Sequence, residues 1–151
     1  MNKFMQEAIK EAKKGIAKKH GGPFGAVIVC KGKVIAKAHN TVLASDATSH
    51  AEINAIRKAS KKLKRFDLSD CEIYSTCEPC PMCFYAIQWA NIKKVFYGAS
   101  SKDASKIGFR DKELYEILNG KKKPGIQMNK LSSSECVELM EIFAKATKKR
   151  Y

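Results

Sequence analysis

The sequence predicts an α/β fold, a three-layer α/β/α arrangement around a central mixed sheet of about five strands. Three observations carry this. Strand-forming runs interleave with amphipathic stretches at helical spacing, and no linker, repeat or low-complexity stretch divides the chain. A length of 151 residues with 44% hydrophobic content supplies one core, because such a chain buries roughly 70% of its unfolded surface.

Taken in order, Phe4, Met5, Ala8, Ile9, Ala12 and Ile16 recur at helical spacing between lysines, which predicts an amphipathic helix over 2–19 that Gly21-Gly22-Pro23 ends. Runs 25–30 and 34–38 flank Lys31-Gly32-Lys33 and read as a β-hairpin. A polar loop follows over 40–48. Ala51, Ile53, Ala55, Ile56 and Ala59 predict a helix over 50–62, and 71–76 is a short strand. Pro81 suits the first position of a helix reaching residue 90, where its missing N–H costs nothing. The pattern then gives a strand at 95–99, a helix at 112–118 stopped by Asn119-Gly120, and a weak strand at 125–128. Ser132-x-x-Glu135 has the form of a capping box opening a last helix, with Val137, Met140, Phe143 and Ala144 turned inward.

The charge balance is 29 Lys and Arg against 15 Asp and Glu, a net of +14. Such a field can steer polyanions. Only Arg57, Arg65, Arg110 and Arg150 are arginines, however, and the lysines are scattered over nearly every segment. Lysine is a solvated point charge that reads bases poorly, so the balance reads as a solubility device rather than a nucleic-acid footprint. The longest clean apolar run, 26–30, is far short of the ~20 residues that span a bilayer. Charge interrupts the apolar residues of the first seven positions, so they do not form a secretory signal. The expectation is a cytoplasmic protein whose six cysteines serve metal binding, catalysis or packing rather than a disulfide framework.

Two segments carry the chemistry: His50-Ala51-Glu52 and Pro79-Cys80-Pro81-Met82-Cys83. Each falls at a predicted helix start, where unpaired backbone N–H groups favour thiolate. Cys80 and Cys83 with His50 make a three-ligand set for zinc, which leaves a fourth position open for water, the catalytic rather than the closed structural arrangement. Glu52 lies two residues from His50, where a carboxylate can move the water's proton; the order H-x-E…P-C-x-x-C is the signature of zinc deaminases. Taken singly the pieces have other readings. Ser49-x-x-Glu52 also fits a capping box, Cys80 and Cys83 also fit a redox pair, and Cys77 is an alternative ligand. Chance co-occurrence of both segments is on the order of one in a thousand chains of this composition.

On these motifs the chain resembles the cytidine deaminase superfamily and, within it, the bacterial guanine deaminases. The similarity takes in Gly21-Gly22-Pro23-Phe24-Gly25-Ala26, Asn40, His50-Ala51-Glu52, Ala55-Ile56-Arg57-Lys58-Ala59, the stretch 77–83, Trp89-Ala90, Val95-Phe96-Tyr97, Asp103-Ala104, Gly108-Phe109, Asp111 and Tyr151. The resemblance implies one deaminase domain over 1–151, one zinc ion per chain held by His50, Cys80 and Cys83, and Glu52 and Asp111 as catalytic groups. It implies that Asn40, Phe24, Trp89, Ala51 and Tyr151 bind a purine base, Asn40 by hydrogen bonding, Phe24 by stacking and Tyr151 by closing the site. It further implies a homodimer with an exchanged C-terminal segment, and deamination of guanine to xanthine. Guanosine and aminotriazine rings stay open as substrates. A tRNA adenosine deaminase shares the zinc motif and is the alternative. Those enzymes usually read Lys-Thr-Gly-Ala after the strand matching 95–97, where this chain has Ser101-Lys102-Asp103-Ala104-Ser105-Lys106.

Overall fold

The computed structural model describes residues 2–131 and 133–151. Its first helix, α1 (Lys3–Ala17), is capped by Asn2, whose side-chain oxygen accepts from the N–H groups of Phe4 and Met5 at 2.8 and 3.3 Å. The hairpin β1 (Gly25–Cys30) and β2 (Lys33–His39) turns at Lys31 and Gly32. Both have positive φ, 50° and 74°, as a two-residue hairpin turn of right-handed twist requires. A short 3₁₀ turn (Val42–Ala44) leads to α2 (Ala51–Leu63), then β3 (Cys71–Cys77), α3 (Pro81–Trp89) and β4 (Lys94–Ala99). Three helices follow: α4 (Ser101–Lys106), α5 (Asp111–Leu118) and α6 (Ser134–Ala146).

The sheet is mixed and runs β2-β1-β3-β4; β1 is antiparallel to both neighbours, and β3 and β4 are parallel. It has four strands, not five. Residues 125–128 are irregular, with Ile126 and Met128 75% and 93% exposed, because Pro124 and Gly125 break the segment and the edge strand β4 does not pair with it.

Strand β1 is buried along its whole length, and its alternation divides the core. Val27 and Val29 face α1, packing with Ala8, Tyr74, Phe4 and Met5. Ala26, Ile28 and Cys30 face the other layer, with Ala51, Ala55 and Ala59 of α2 and Ile87 of α3. Ile28 and Ile73 stand opposite each other in register and are fully buried, so truncating either to Ala costs about 2–5 kcal/mol. At Gly25 an added Cβ would run into the Ala8 carbonyl, so glycine is what lets α1 cross β1 at backbone contact.

Two expectations about the C-terminal third need correction. Val137, Met140 and Phe143 are 60%, 68% and 48% exposed, and Ala144 is also exposed. They do not point into this chain's core, because α6 stands off the body of a single chain. The expected capping box at Ser132 lies outside the described residues; Ser133 caps α6, accepting from Cys136 N–H at 3.4 Å. Helix α4 was not expected, since its six residues carry no apolar period; a capping box between Ser100 and Asp103 starts it. Among the described residues, no helix is long and apolar enough to cross a membrane.

Candidate active site

Helices α2 and α3 begin side by side, and their N-cap residues are His50 and Cys80. Neither N-cap side chain makes a capping hydrogen bond, so both are free to face a shared ligand. Pro81 occupies the first turn of α3, which puts Cys83 one turn on and on the same side. His50 Nδ1 lies 3.6 Å from Cys80 Sγ, and the ligand atoms of His50, Cys80 and Cys83 all lie within 4.8 Å of one another. Zinc bonds of about 2.3 Å to sulfur and 2.0 Å to nitrogen set tetrahedral neighbours about 3.6 Å apart, so one imidazole and two thiolates at this spacing fit the ion.

Glu52 is beside this cluster and only 5% exposed. The Ser75 hydroxyl donates to its Oε1 at 2.7 Å, and the Cys83 thiol donates to its Oε2 at 3.4 Å. The capping-box reading of Ser49-x-x-Glu52 is therefore replaced. His50 is the N-cap, and Ser49 Oγ donates instead to Asp46 at 2.9 Å. Cys77 also falls outside the cluster. Its thiol points to the Ser100 carbonyl at 3.6 Å, and burial, then the nearby Asp111, push it up to about 12.

The electrostatics follow from crowding and burial. Hydrogen bonding from Cys83, then from His50, pulls the Cys80 thiol down to about 4, which favours thiolate at this helix start. Cys83, hydrogen-bonded to that sulfur and buried beside Glu52, is driven strongly upward. Burial raises the Glu52 carboxyl, and the Ser75 hydrogen bond partly opposes this. Burial likewise raises Asp111.

The cluster opens on a cleft of about 510 Å³, lined among others by Phe24, Asn40, His50, Glu52, Cys80, Phe109 and Asp111. Asn40 is 4% exposed, with its side-chain oxygen accepting from Val42 N–H at 3.1 Å and its N–H donating to the Phe24 carbonyl at 3.0 Å. Phe24 meets Phe109 edge to face, with centroids 4.8 Å apart. Asp111 is not a helix cap, because Arg110 occupies that position and Asp111 is the first residue of α5. Three expected site residues lie elsewhere in a single chain. Ala51, the first residue of α2, is fully buried in the core. Trp89 and Tyr151 are 64% and 80% exposed and contact each other, centroids 5.7 Å apart. They sit at the end of α3 about 12 Å along the helix from Pro81, because Trp89 is on the outward side of α3.

Several supporting residues had no signal in the sequence. Ser75 reaches Glu52 only through the fold. Asn54 Nδ2 donates to the His39 carbonyl, Thr41 Oγ1 and the Ser49 carbonyl at 3.1, 2.9 and 3.3 Å, tying the Asn40 loop to the start of α2. Tyr115 of α5 donates to the Pro79 carbonyl at 2.5 Å and fixes the loop before Cys80.

The sequence model of the cytidine and deoxycytidylate deaminase zinc-binding region matches residues 1–99. Guanine deaminase of Bacillus subtilis is 50% identical over 117 residues, 77% of this chain and 75% of that protein. A tRNA-specific adenosine deaminase of Aquifex aeolicus is 44% identical over 100 residues, 66% of each chain. The X-ray structure of the B. subtilis guanine deaminase superimposes with a TM-score of 0.90, at 39% identity, covering 100% of this chain and 99% of that one. With the family's zinc-binding region matched over residues 1–99, well over half of its 151 residues, this chain belongs to the cytidine and deoxycytidylate deaminase family and is a zinc-dependent hydrolytic deaminase.

Proposed function

We propose that the protein deaminates guanine to xanthine and ammonia. The observation that carries this is the meeting of His50, Cys80 and Cys83 beside buried Glu52, in a cleft also lined by Asn40 and Phe24. The likeness to B. subtilis guanine deaminase along the whole chain supports guanine as the base.

Bound to those three side chains, zinc supplies a water acidic enough to attack near neutral pH. Glu52 holds the proton that this requires. Its Oε1 is occupied by Ser75, so Oε2 is the exchanging atom, and it is freed once Cys83 ionises and stops donating to it. Glu52 then delivers that proton to the ring nitrogen next to C2, which avoids an anionic ring as conjugation breaks; it next takes the proton of the hydroxyl now on C2 and passes it to the amine, which leaves as ammonia as the C2–N bond breaks and the carbonyl forms. Asp111, which lines the same cleft and is raised by burial, assists at the leaving nitrogen. Asn40 orients the base through its side-chain amide, and Phe24, braced by Phe109, stacks on it.

A homodimer with an exchanged C-terminal segment fits this site. Phe84, Tyr85 and Trp89 on α3, Phe96 and Tyr97 on β4, and Met140 on α6 leave apolar sides without cover. Patches of this kind mark interfaces. Tyr151 does not line the cleft at Glu52 in its own chain, so it would close that cleft in a second copy. A cytoplasmic setting fits the need for Cys80 and Cys83 as reduced thiols.

The deciding experiment is ammonia release from guanine, guanosine, an aminotriazine, adenine, cytosine, cytidine and tRNA, with zinc content measured alongside. Turnover of guanine well above the rest is expected; release from tRNA alone would replace this reading with adenosine editing. The editing reading is favoured by the Aquifex relative and the net charge of +14. It requires tRNA retention that falls steeply with salt.

A further inference from the structure

A second set of metal-ligating side chains lies at the opposite end of the sheet. Cys30 closes β1, Cys71 opens β3, and the two are partners in antiparallel register. Cys71 donates its N–H to the Leu68 carbonyl at 2.9 Å rather than to Cys30. The pair is therefore of the non-hydrogen-bonded kind, in which facing side chains come closest. Asp70 brings its carboxylate to both, accepting from Cys30 Sγ at 3.3 Å and from Cys71 Sγ at 3.5 Å. The three ligand atoms lie within 4.8 Å of one another. Tetrahedral zinc places sulfur and oxygen ligands about 3.5 Å apart, and the His50–Cys80 separation of 3.6 Å is of the same size.

This cluster already gathers positive charge. Arg65 Nη2 lies 2.5 Å from Asp70 Oδ1 and 4.0 and 3.9 Å from the sulfurs of Cys30 and Cys71. Its side chain is 37% exposed and follows the left-handed Lys64 that ends α2, so it can swing out to solvent. Access is through a cavity of about 410 Å³ that Gly32, Asp70 and Cys71 help to line.

We propose that Cys30, Cys71 and Asp70 form a second site for a thiophilic divalent cation of the zinc class, with Arg65 holding its place until the ion enters. With three protein ligands its fourth position falls to water, and it lies away from the deaminase chemistry. Cys71 and Cys77 are at opposite ends of β3, about 20 Å apart along the strand, so an ion here pins β1, β3 and the turn before β3 without reaching the cleft.

The test is zinc stoichiometry of the full-length protein under reducing conditions across a range of buffered free Zn²⁺. Two ions per chain are expected for the wild type and one for the Cys30→Ser/Cys71→Ser double variant, with ammonia release unchanged. Arg65→Ala should fill the second site at several-fold lower free zinc. In the wild type, zinc should slow alkylation of Cys30 and Cys71 by iodoacetamide, a readout that holds if the double variant does not fold. A single ion per chain at every zinc concentration, a second ion that survives the double substitution, or alkylation indifferent to zinc overturns the proposal.

Discussion

The Ser75 hydroxyl and the Glu52 carboxylate share a 2.7 Å hydrogen bond where Ser75 is fully buried and Glu52 is 5% exposed. One carboxylate oxygen is thus fixed, and the proposed reaction uses the other, which the Cys83 thiol faces at 3.4 Å. Glu52→Gln should retain zinc and lose turnover by about 10²–10⁴-fold or more. Ser75→Ala should keep zinc and lower kcat about tenfold, the worth of one hydrogen bond to a buried charge. Steady-state ammonia release with metal analysis measures both; near-normal turnover in Glu52→Gln removes it as the proton carrier.

Gly21 lies against Asn40 so closely that an added Cβ would collide with the Asn40 side-chain oxygen. Gly21→Ala should displace Asn40 while leaving the zinc ligands in place. The expected result is a drop of about 100-fold in kcat/KM for guanine, the effect of roughly 1 Å of misplacement, at unchanged zinc content. Equal kinetics for variant and parent would show that Asn40 does not orient the base.

Tyr151 is 80% exposed and rests against the rings of Trp89 and Phe66. Its deletion should barely change Tm yet reduce guanine turnover clearly. Thermal melts and kinetics on the same preparation check this, and unchanged kinetics would eliminate Tyr151 as a lid.

Glu7 joins α1 to β2 through its ion pair with Lys37 at 2.8 Å, and pairs with Lys10 of its own helix at 2.7 Å. The hydrogen bond from Lys10, then that from Lys37, lowers its carboxyl from 4.5 to about 2. A carboxyl lowered on folding adds stability above its unfolded value and loses it as pH falls through the folded one. The gap in Tm between wild type and Glu7→Gln should therefore be present at pH 7, shrink between pH 4.5 and 2, and narrow in high salt. A gap that is the same at pH 7 and pH 2 would count against the pairing.

Most of the sheet and the metal ligands were legible because their signals are local. The 25–30 run is apolar at every position after its glycine, and His50, Glu52, Cys80 and Cys83 are spaced so that two helix starts present them. Ser75 and Asn54 were invisible because their partners are brought to them by the fold, 23 residues away for Ser75 and Glu52. Ile126 and Met128 suggested a strand by alternation, yet alternation needs a sheet edge to act on. Val137, Met140 and Phe143 form a true amphipathic stripe whose partner is not this chain's core. Trp89 and Tyr151 likewise stand away from the cleft of a single chain, and the role proposed for them calls for a second copy.

Starting α2 and α3 at the same place has an electrostatic cost, because each helix carries roughly half a positive charge at its first turn. Two such ends brought together repel one another. The ionised Cys80 between them and the carboxylate of Glu52 behind act as the negative filling of that junction. Catalytic groups and architectural cement are here the same atoms, so swapping these anions for neutral side chains should loosen the seam between the two helices as well as silence the chemistry.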